Sequence, residues 1–211
     1  MMTKKIDSII AYINALYPNA KCELLYKHDY ELVISVMLSS QTTDKKVNSV
    51  TSILFYKYPS LESLANADVK DIEKMLRPLG MSNKKAVYVI EIAKRIINQY
   101  KGIVPSSREE LMSLAGVGNK TANVIRAEVF KIPEIPVDTH IERISKRLAL
   151  VGKECNVGEI EKELKKMIPD DIKIRTHHQM IRFGRYICKA KNPQCKDCQL
   201  KSICSFYKKL I

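Results

Sequence analysis

Apolar residues recur along this chain at three- and four-residue spacing almost from end to end, which is the period of a helix with one buried face. Residues 6–17 place Ile6, Ile9, Ile10, Ile13, Leu16 and Tyr17 on one stripe, and Pro18 ends it. Asp29 is positioned to cap a helix over 32–38. That run, Leu-Val-Ile-Ser-Val-Met-Leu, is apolar all round and fits a buried strand as well as a buried helix. With no partner strand elsewhere, it is read as a helix. Thr43 or Asp44 opens the next element, with Val47, Val50 and Leu54 inward. Ser60 and Asp68 cap two short helices, the second stopped by Pro78 and Gly80. Ser82 starts a longer helix with Ala86, Val89, Ala93, Ile96, Ile97 and Tyr100 on its apolar face, and Gly102 closes it. Ser107-x-x-Glu110 reads as a capping box before Leu111 and Leu114. Asn156 and Val157 introduce a helix carrying Ile160, Leu164 and Met167, stopped by Pro169. No stretch alternates with period two between hairpin turns, so the fold class is all-α.

Composition narrows the partners. The chain has 211 residues and is 45% hydrophobic, enough for a core in one or two domains. Lys and Arg number 36 against 23 Asp and Glu, a formal charge of +13. That excess favours a polyanion, nucleic acid before an anionic membrane surface. No apolar run reaches the roughly 18–20 residues of a membrane span, and the start lacks the apolar stretch of a secretory signal. A protein that stays inside the cell is expected. The charge is uneven: residues 172–211 hold ten basic residues and one acid, Asp197, for +9, leaving +4 for the first 171.

Four of the six cysteines lie in that basic segment. Cys188, Cys195, Cys198 and Cys204 form C-x6-C-x2-C-x5-C, while Cys22 and Cys155 stand apart and read as buried thiols. Clustered cysteines in a protein expected inside the cell point to metal. The spacing leaves tetrahedral zinc, an iron–sulfur cubane and plain core or disulfide use open, with one C-x2-C and uneven flanks favouring iron–sulfur. Lys189 and Lys191 fall on the loop between the first two cysteines, where a pinned loop suits phosphate contact.

Residues 111–125 place Gly116-Val117-Gly118 between two helical stretches. Glycine permits positive φ and close backbone approach, and the amides that follow lie at a helix N-terminus, where the dipole favours anions. This is a phosphate-binding hairpin by design, or an ordinary glycine turn. Lys120, just beyond, reads as a surface phosphate contact or, more sharply, as an amine nucleophile. An ordinary lysine titrates near pH ~10.4, so a nucleophilic one needs its charge disfavoured. Asp138, in Pro136-Val137-Asp138-Thr139-His140, fits a helix N-cap or a carboxylate facing a site.

These motifs together resemble the endonuclease III family, the helix-hairpin-helix DNA glycosylase/AP lyases of base-excision repair. The likeness runs from Leu38-Ser39-Ser40-Gln41-Thr42-Thr43-Asp44 through Leu114-Ala115-Gly116-Val117-Gly118-Asn119-Lys120-Thr121-Ala122 and Val137-Asp138-Thr139-His140 to Cys204. It implies two helical lobes with DNA in the cleft between them. Residues 22–132 would form a six-helix lobe with the hairpin. Residues 1–21 and 133–211 would form a second lobe with a [4Fe-4S] cluster on Cys188, Cys195, Cys198 and Cys204. Lys120 matches the Schiff-base lysine and Asp138 the essential carboxylate. Gln41 matches the glutamine that fills the space of an extruded base, and Met81 the apolar wedge near it. Gly116, Val117, Gly118, His140, Lys189 and Lys191 match DNA contacts. Ser82 and Gln179 depart from the pattern, standing where aromatics are expected. The implied partner is double-stranded DNA with a damaged pyrimidine or an abasic site, met by a monomer. The alternatives are a monofunctional mismatch glycosylase of the same fold and a non-catalytic DNA-binding module with structural zinc.

Overall fold

A computed structural model describes residues 2–209. Among them are eleven α-helices with short 3-10 turns, and no β-strand. No helix is long and apolar enough to cross a membrane. The chain divides into two compact units, one of residues 23–130 and one of residues 1–22 with 131–211.

The 23–130 unit is built around helix α2 (Asp29–Leu38), which buries eight of its ten residues and so reads apolar all round. It starts earlier than its pattern suggests. His28, not Asp29, is the N-cap, because Glu31 Oε2 turns back to accept the amides of Lys27 at 2.6 Å and His28 at 3.3 Å. Helix α3 (Asp44–Lys57) is capped by Thr43, and its Val47, Val50 and Leu54 are buried as expected. Ser60 and Asp68 cap α4 (Leu61–Ala65) and α5 (Val69–Leu76). Both pack on α6 (Ser82–Tyr100), which buries Ala86, Val89, Ile92, Ala93 and Ile96. Ser82 is the first helical residue, as expected; Met81 precedes it with left-handed φ 50° and ψ 34°. Helix α7 (Arg108–Ser113) is capped by Ser107 alone, and the return half of the expected box does not form. Helix α8 (Asn119–Phe130) packs against α2 and α7.

In the second unit, α1 (Met2–Leu16) supplies Ile6, Ile9 and Ile13 to one core. That core also takes Ile141 and Ile144 of α9 (Thr139–Arg147), Ile160 and Leu164 of α10 (Val157–Met167), and Met180 and Phe183 of α11 (Lys173–Tyr186). The Tyr12 and Phe183 rings meet edge to face at 6.0 Å, joining the first helix to the last. Gly184 lets α11 lie close to α9, since a Cβ there would stand 2.7 Å from His140 Cβ. Gln179 is buried, with its amide nitrogen donating to Asn14 Oδ1 at 3.0 Å and to the Tyr17 carbonyl at 3.1 Å. Cys22 and Cys155 are partly exposed rather than buried. Cys155 packs on the edge of the core, and Cys22 follows the end of α1.

Candidate functional site

The turn from α7 to α8 is the most sharply specified piece of the 23–130 unit. Gly116 adopts φ +73°, and a Cβ on it would lie 2.5 Å from the Tyr88 ring and 3.0 Å from Met37 Cγ. Only glycine fits on both counts. Gly118 has ordinary φ and open space where its Cβ would be, so backbone conformation does not require glycine there. Val117 is buried beneath the turn. The first amide inside α8 to find a carbonyl is that of Ala122, donating to Gly118 at 2.9 Å. The amides before it form the open first turn of a helix N-terminus, suited to a phosphate. Arg95 donates to the Ser113 carbonyl, and Arg126 donates to the Ser106 carbonyl at 2.7 Å, bracing both ends of α7. Lys120 is the second residue of α8 and is exposed.

Gln41 and Met81 lie in the same unit, on the turns after α2 and before α6. Both are exposed, and both are left-handed, at φ 60° and 50°. Lys85, which carried no signal in the sequence, reaches the backbone beside each of them.

Asp138 belongs to the other unit and takes the bland role its position allows. Its Oδ1 caps α9 by accepting the amides of His140 and Ile141, both at 2.9 Å. Its Oδ2 stands 3.0 Å from His140 Nδ1. The carboxylate and the imidazole thus form one polar pair at the start of α9.

Cys188, Cys195, Cys198 and Cys204 line one pocket, walled by Leu148, Phe183, Ile187, Phe206 and Tyr207. Among the described residues no three His, Cys, Asp or Glu side chains close on a single-ion position. Four cysteine side chains lining one pocket are a donor set that a multi-atom iron–sulfur cluster fits. Burial pushes the Cys195 and Cys198 thiols above their ordinary range, and charge on Cys188 and Cys204 pushes the same way. Bringing all four to the thiolate form would need positive charge between them.

Two arginines of α9 hold the loop that begins at Cys188. Arg143 donates to the carbonyls of Cys188 at 3.1 Å and Gly184 at 2.9 Å. Arg147 donates to the carbonyls of Lys189 at 2.6 Å and Ala190 at 3.1 Å, comes within 3.4 Å of Cys188 Sγ, and stacks on the Phe206 ring at 4.1 Å. Sequence reading missed both; their i, i+4 spacing on the helix opened by Asp138 was the only available signal. Lys191 is exposed and Lys189 partly so on the loop they brace.

Comparison with known proteins agrees with this arrangement. Residues 34–170 match the family model of the HhH-GPD superfamily of base excision DNA repair proteins. Endonuclease III of Bacillus subtilis (strain 168) is 42% identical over 201 residues, covering 95% of this chain and 92% of the relative. Endonuclease III of Rickettsia felis is 38% identical, covering 98% and 97%. A solved endonuclease III, trapped as a covalent intermediate with DNA in an estranged-adenine complex, matches with a TM-score of 0.95 at 41% identity, over 100% of this chain and 99% of that one. A thermostable thymine-DNA glycosylase matches with a TM-score of 0.87 at 24% identity, a likeness of fold. With a family model matched over residues 34–170 and relatives 38–42% identical along nearly the whole length, the chain belongs to the endonuclease III family of the HhH-GPD superfamily.

Proposed function

We propose that this protein is a bifunctional DNA glycosylase and abasic-site lyase that removes oxidised or ring-saturated pyrimidines from double-stranded DNA. It works as a monomer on the chromosome in the cytoplasm. The observation that carries the reading is the placement of Lys120 one residue into the helix that leaves the glycine hairpin. The chain is also 41% identical, over its whole length, to an endonuclease III trapped in a covalent intermediate with DNA.

Lysine and arginine contacts to phosphate bring the duplex in without regard to sequence. A damaged base unstacks at lower cost than a normal one and is extruded. Gln41 and Met81 occupy the space it leaves. The Lys120 amine, once deprotonated, gives its lone pair to the sugar C1′ as the glycosidic bond breaks towards the base. Asp138 stabilises the positive charge that develops on the sugar. Ring opening leaves an imine on Lys120, which acidifies the C2′ hydrogens. Loss of one of them and rupture of the C3′–O bond cuts the strand by β-elimination, and water then frees the lysine.

Cys188, Cys195, Cys198 and Cys204 would hold a [4Fe-4S] cluster, which when bound supplies a rigid anchor for the basic loop. That loop presents Lys189 and Lys191 to the phosphate backbone, while Arg143 and Arg147 fix its first turn. Four cysteines lining one pocket, with a single C-x2-C and uneven flanks, support a cluster over a single zinc ion.

Borohydride reduction tests the central step. With a duplex containing a thymine glycol or an abasic site, the wild type is expected to give a covalent protein–DNA adduct, and Lys120→Ala none. An adduct that persists in Lys120→Ala removes Lys120 as nucleophile, and base release without strand cutting returns the monofunctional reading.

A further inference from the structure

Lys85 is 3% exposed, three residues into α6, with Ala86 and Val89 buried beside it. No carboxylate pairs with it among the described residues. A buried ammonium without a counter-charge is an expensive way to fill a helix face that its neighbours fill with methyl groups. Desolvation lowers its pKa accordingly. What it obtains in return is two backbone carbonyls: Nζ donates to Ser40 O and to Leu79 O, each at 3.1 Å.

The identity of those carbonyls is the informative part. Ser40 immediately precedes Gln41, and Leu79 lies two residues before Met81. Gln41 and Met81 are both exposed non-glycine residues in the left-handed region, a conformation that persists only where its surroundings impose it. The peptide between Ser40 and Gln41 is planar, so fixing the Ser40 carbonyl fixes the plane from which Gln41 departs. Lys85 holds the other turn twice, because its own amide donates to Met81 O at 3.0 Å. One side chain thereby joins two turns 40 residues apart in sequence.

We propose that Lys85 is a positioning residue: its ammonium locks the Gln41 and Met81 turns to one another, so that the two side chains enter the gap in the duplex as a single preformed wedge. This rests on the reading that Gln41 and Met81 fill that gap, and it adds what makes them act together. Preordered, the pair pays no ordering entropy when the base leaves the stack. The ammonium touches neither DNA nor the reacting atoms, so its loss is felt through the two turns.

The test compares Lys85→Met, which keeps the volume and removes the donors, with wild type on two substrates. One is a duplex lesion with 2-aminopurine opposite, whose fluorescence reads unstacking. The other is an abasic site carried as a single-nucleotide bulge, which leaves no gap to fill. Excision and fluorescence rise in the duplex are expected to slow by about tenfold or more, while cutting at the bulge changes by less than about twofold. In a Gln41→Ala/Met81→Ala background, Lys85→Met is expected to add less than about twofold, because the turns it holds no longer carry a wedge. Equal loss on both substrates, full additivity in that background, or no loss at all overturns the proposal. If Gln41→Ala/Met81→Ala itself excises like wild type, the gap-filling reading fails first and takes the wedge with it. Should Lys85→Met not fold, Lys85→Gln, which keeps N–H donors on a shorter arm, is expected to show the same pattern at about three- to tenfold.

Discussion

Asp138 divides its two carboxylate oxygens between different partners. Oδ1 caps α9 through two amides, and Oδ2 faces His140 Nδ1. Asp138→Asn keeps an acceptor at Oδ1 and removes the charge. It is expected to unfold near the wild-type temperature while excision falls by orders of magnitude. Asp138→Ala is expected to lose both activity and the cap, at about 1 kcal/mol and about 2–4 °C in Tm. Thermal melts beside single-turnover excision decide it; an Asn variant that excises normally would leave Asp138 a cap and nothing more. Tyr58 gives a residue-scale prediction of another kind. Burial, then the hydrogen bond it donates to Asp71 at 2.5 Å, raise its phenol to about 12. A phenol held protonated in the folded state stabilises the fold fully below its unfolded value near ~10, and that contribution is lost as pH rises towards about 12. Urea midpoints measured from pH 9 to 12 are expected to fall, and to fall less steeply in Tyr58→Phe.

At the scale of elements, the hairpin between α7 and α8 makes its two glycines unequal. Gly116→Ala must place a methyl 2.5 Å from the Tyr88 ring at φ +73°, which is expected to cost at least about 2 kcal/mol. Gly118→Ala meets open space and ordinary φ. Its fold is expected to hold while DNA affinity drops, because the methyl stands where phosphate approaches the amides. Denaturant titration and DNA-binding isotherms on the pair separate the two roles, and equal destabilisation would refute the distinction. The same element shows how far reading the sequence reached. Leu-x-Gly-Val-Gly-x-Lys-Thr-Ala was legible as a hairpin because turn chemistry and helix starts are local. That Gly116 is required by Tyr88 and Met37 was not legible, since both come from elsewhere in the chain. The helix starts at Ser60, Asp68, Ser107 and Asn156 were legible for the same local reason. The cap of α2 lies one residue earlier than expected, because Glu31 caps backward onto His28, where a forward cap from Asp29 was expected.

For the whole molecule, net charge and metal carry the predictions. Lys189, Lys191, Lys196 and Lys201 lie on the four-cysteine loop, so removing two of its cations should act on all DNA alike. Lys189→Ala/Lys191→Ala is expected to weaken damaged and undamaged duplex equally and to lower the slope of log affinity against log salt by about 1.8. A loss confined to the chemical step on bound substrate would count against that division of labour. The purified protein is expected to be brown, with iron and acid-labile sulfide and no stoichiometric zinc. Cys198→Ser is expected to loosen the terminal segment and reduce DNA binding more than folding of the 23–130 unit, as read by circular dichroism and DNA titration.

By itself the sequence determined the helical class, most caps, the hairpin with its lysine, the cysteine spacing and the uneven charge. Each of these is written in residues a few positions apart, where periodicity, capping and turn geometry act. Only the tertiary structure decided that Lys85 ties Ser40 to Leu79, that Arg147 grips the loop after Cys188, and that Gln179 is anchored by Asn14 and Tyr17. Those links join residues as far as 165 positions apart. They arise because a buried polar group must find partners wherever packing has placed them.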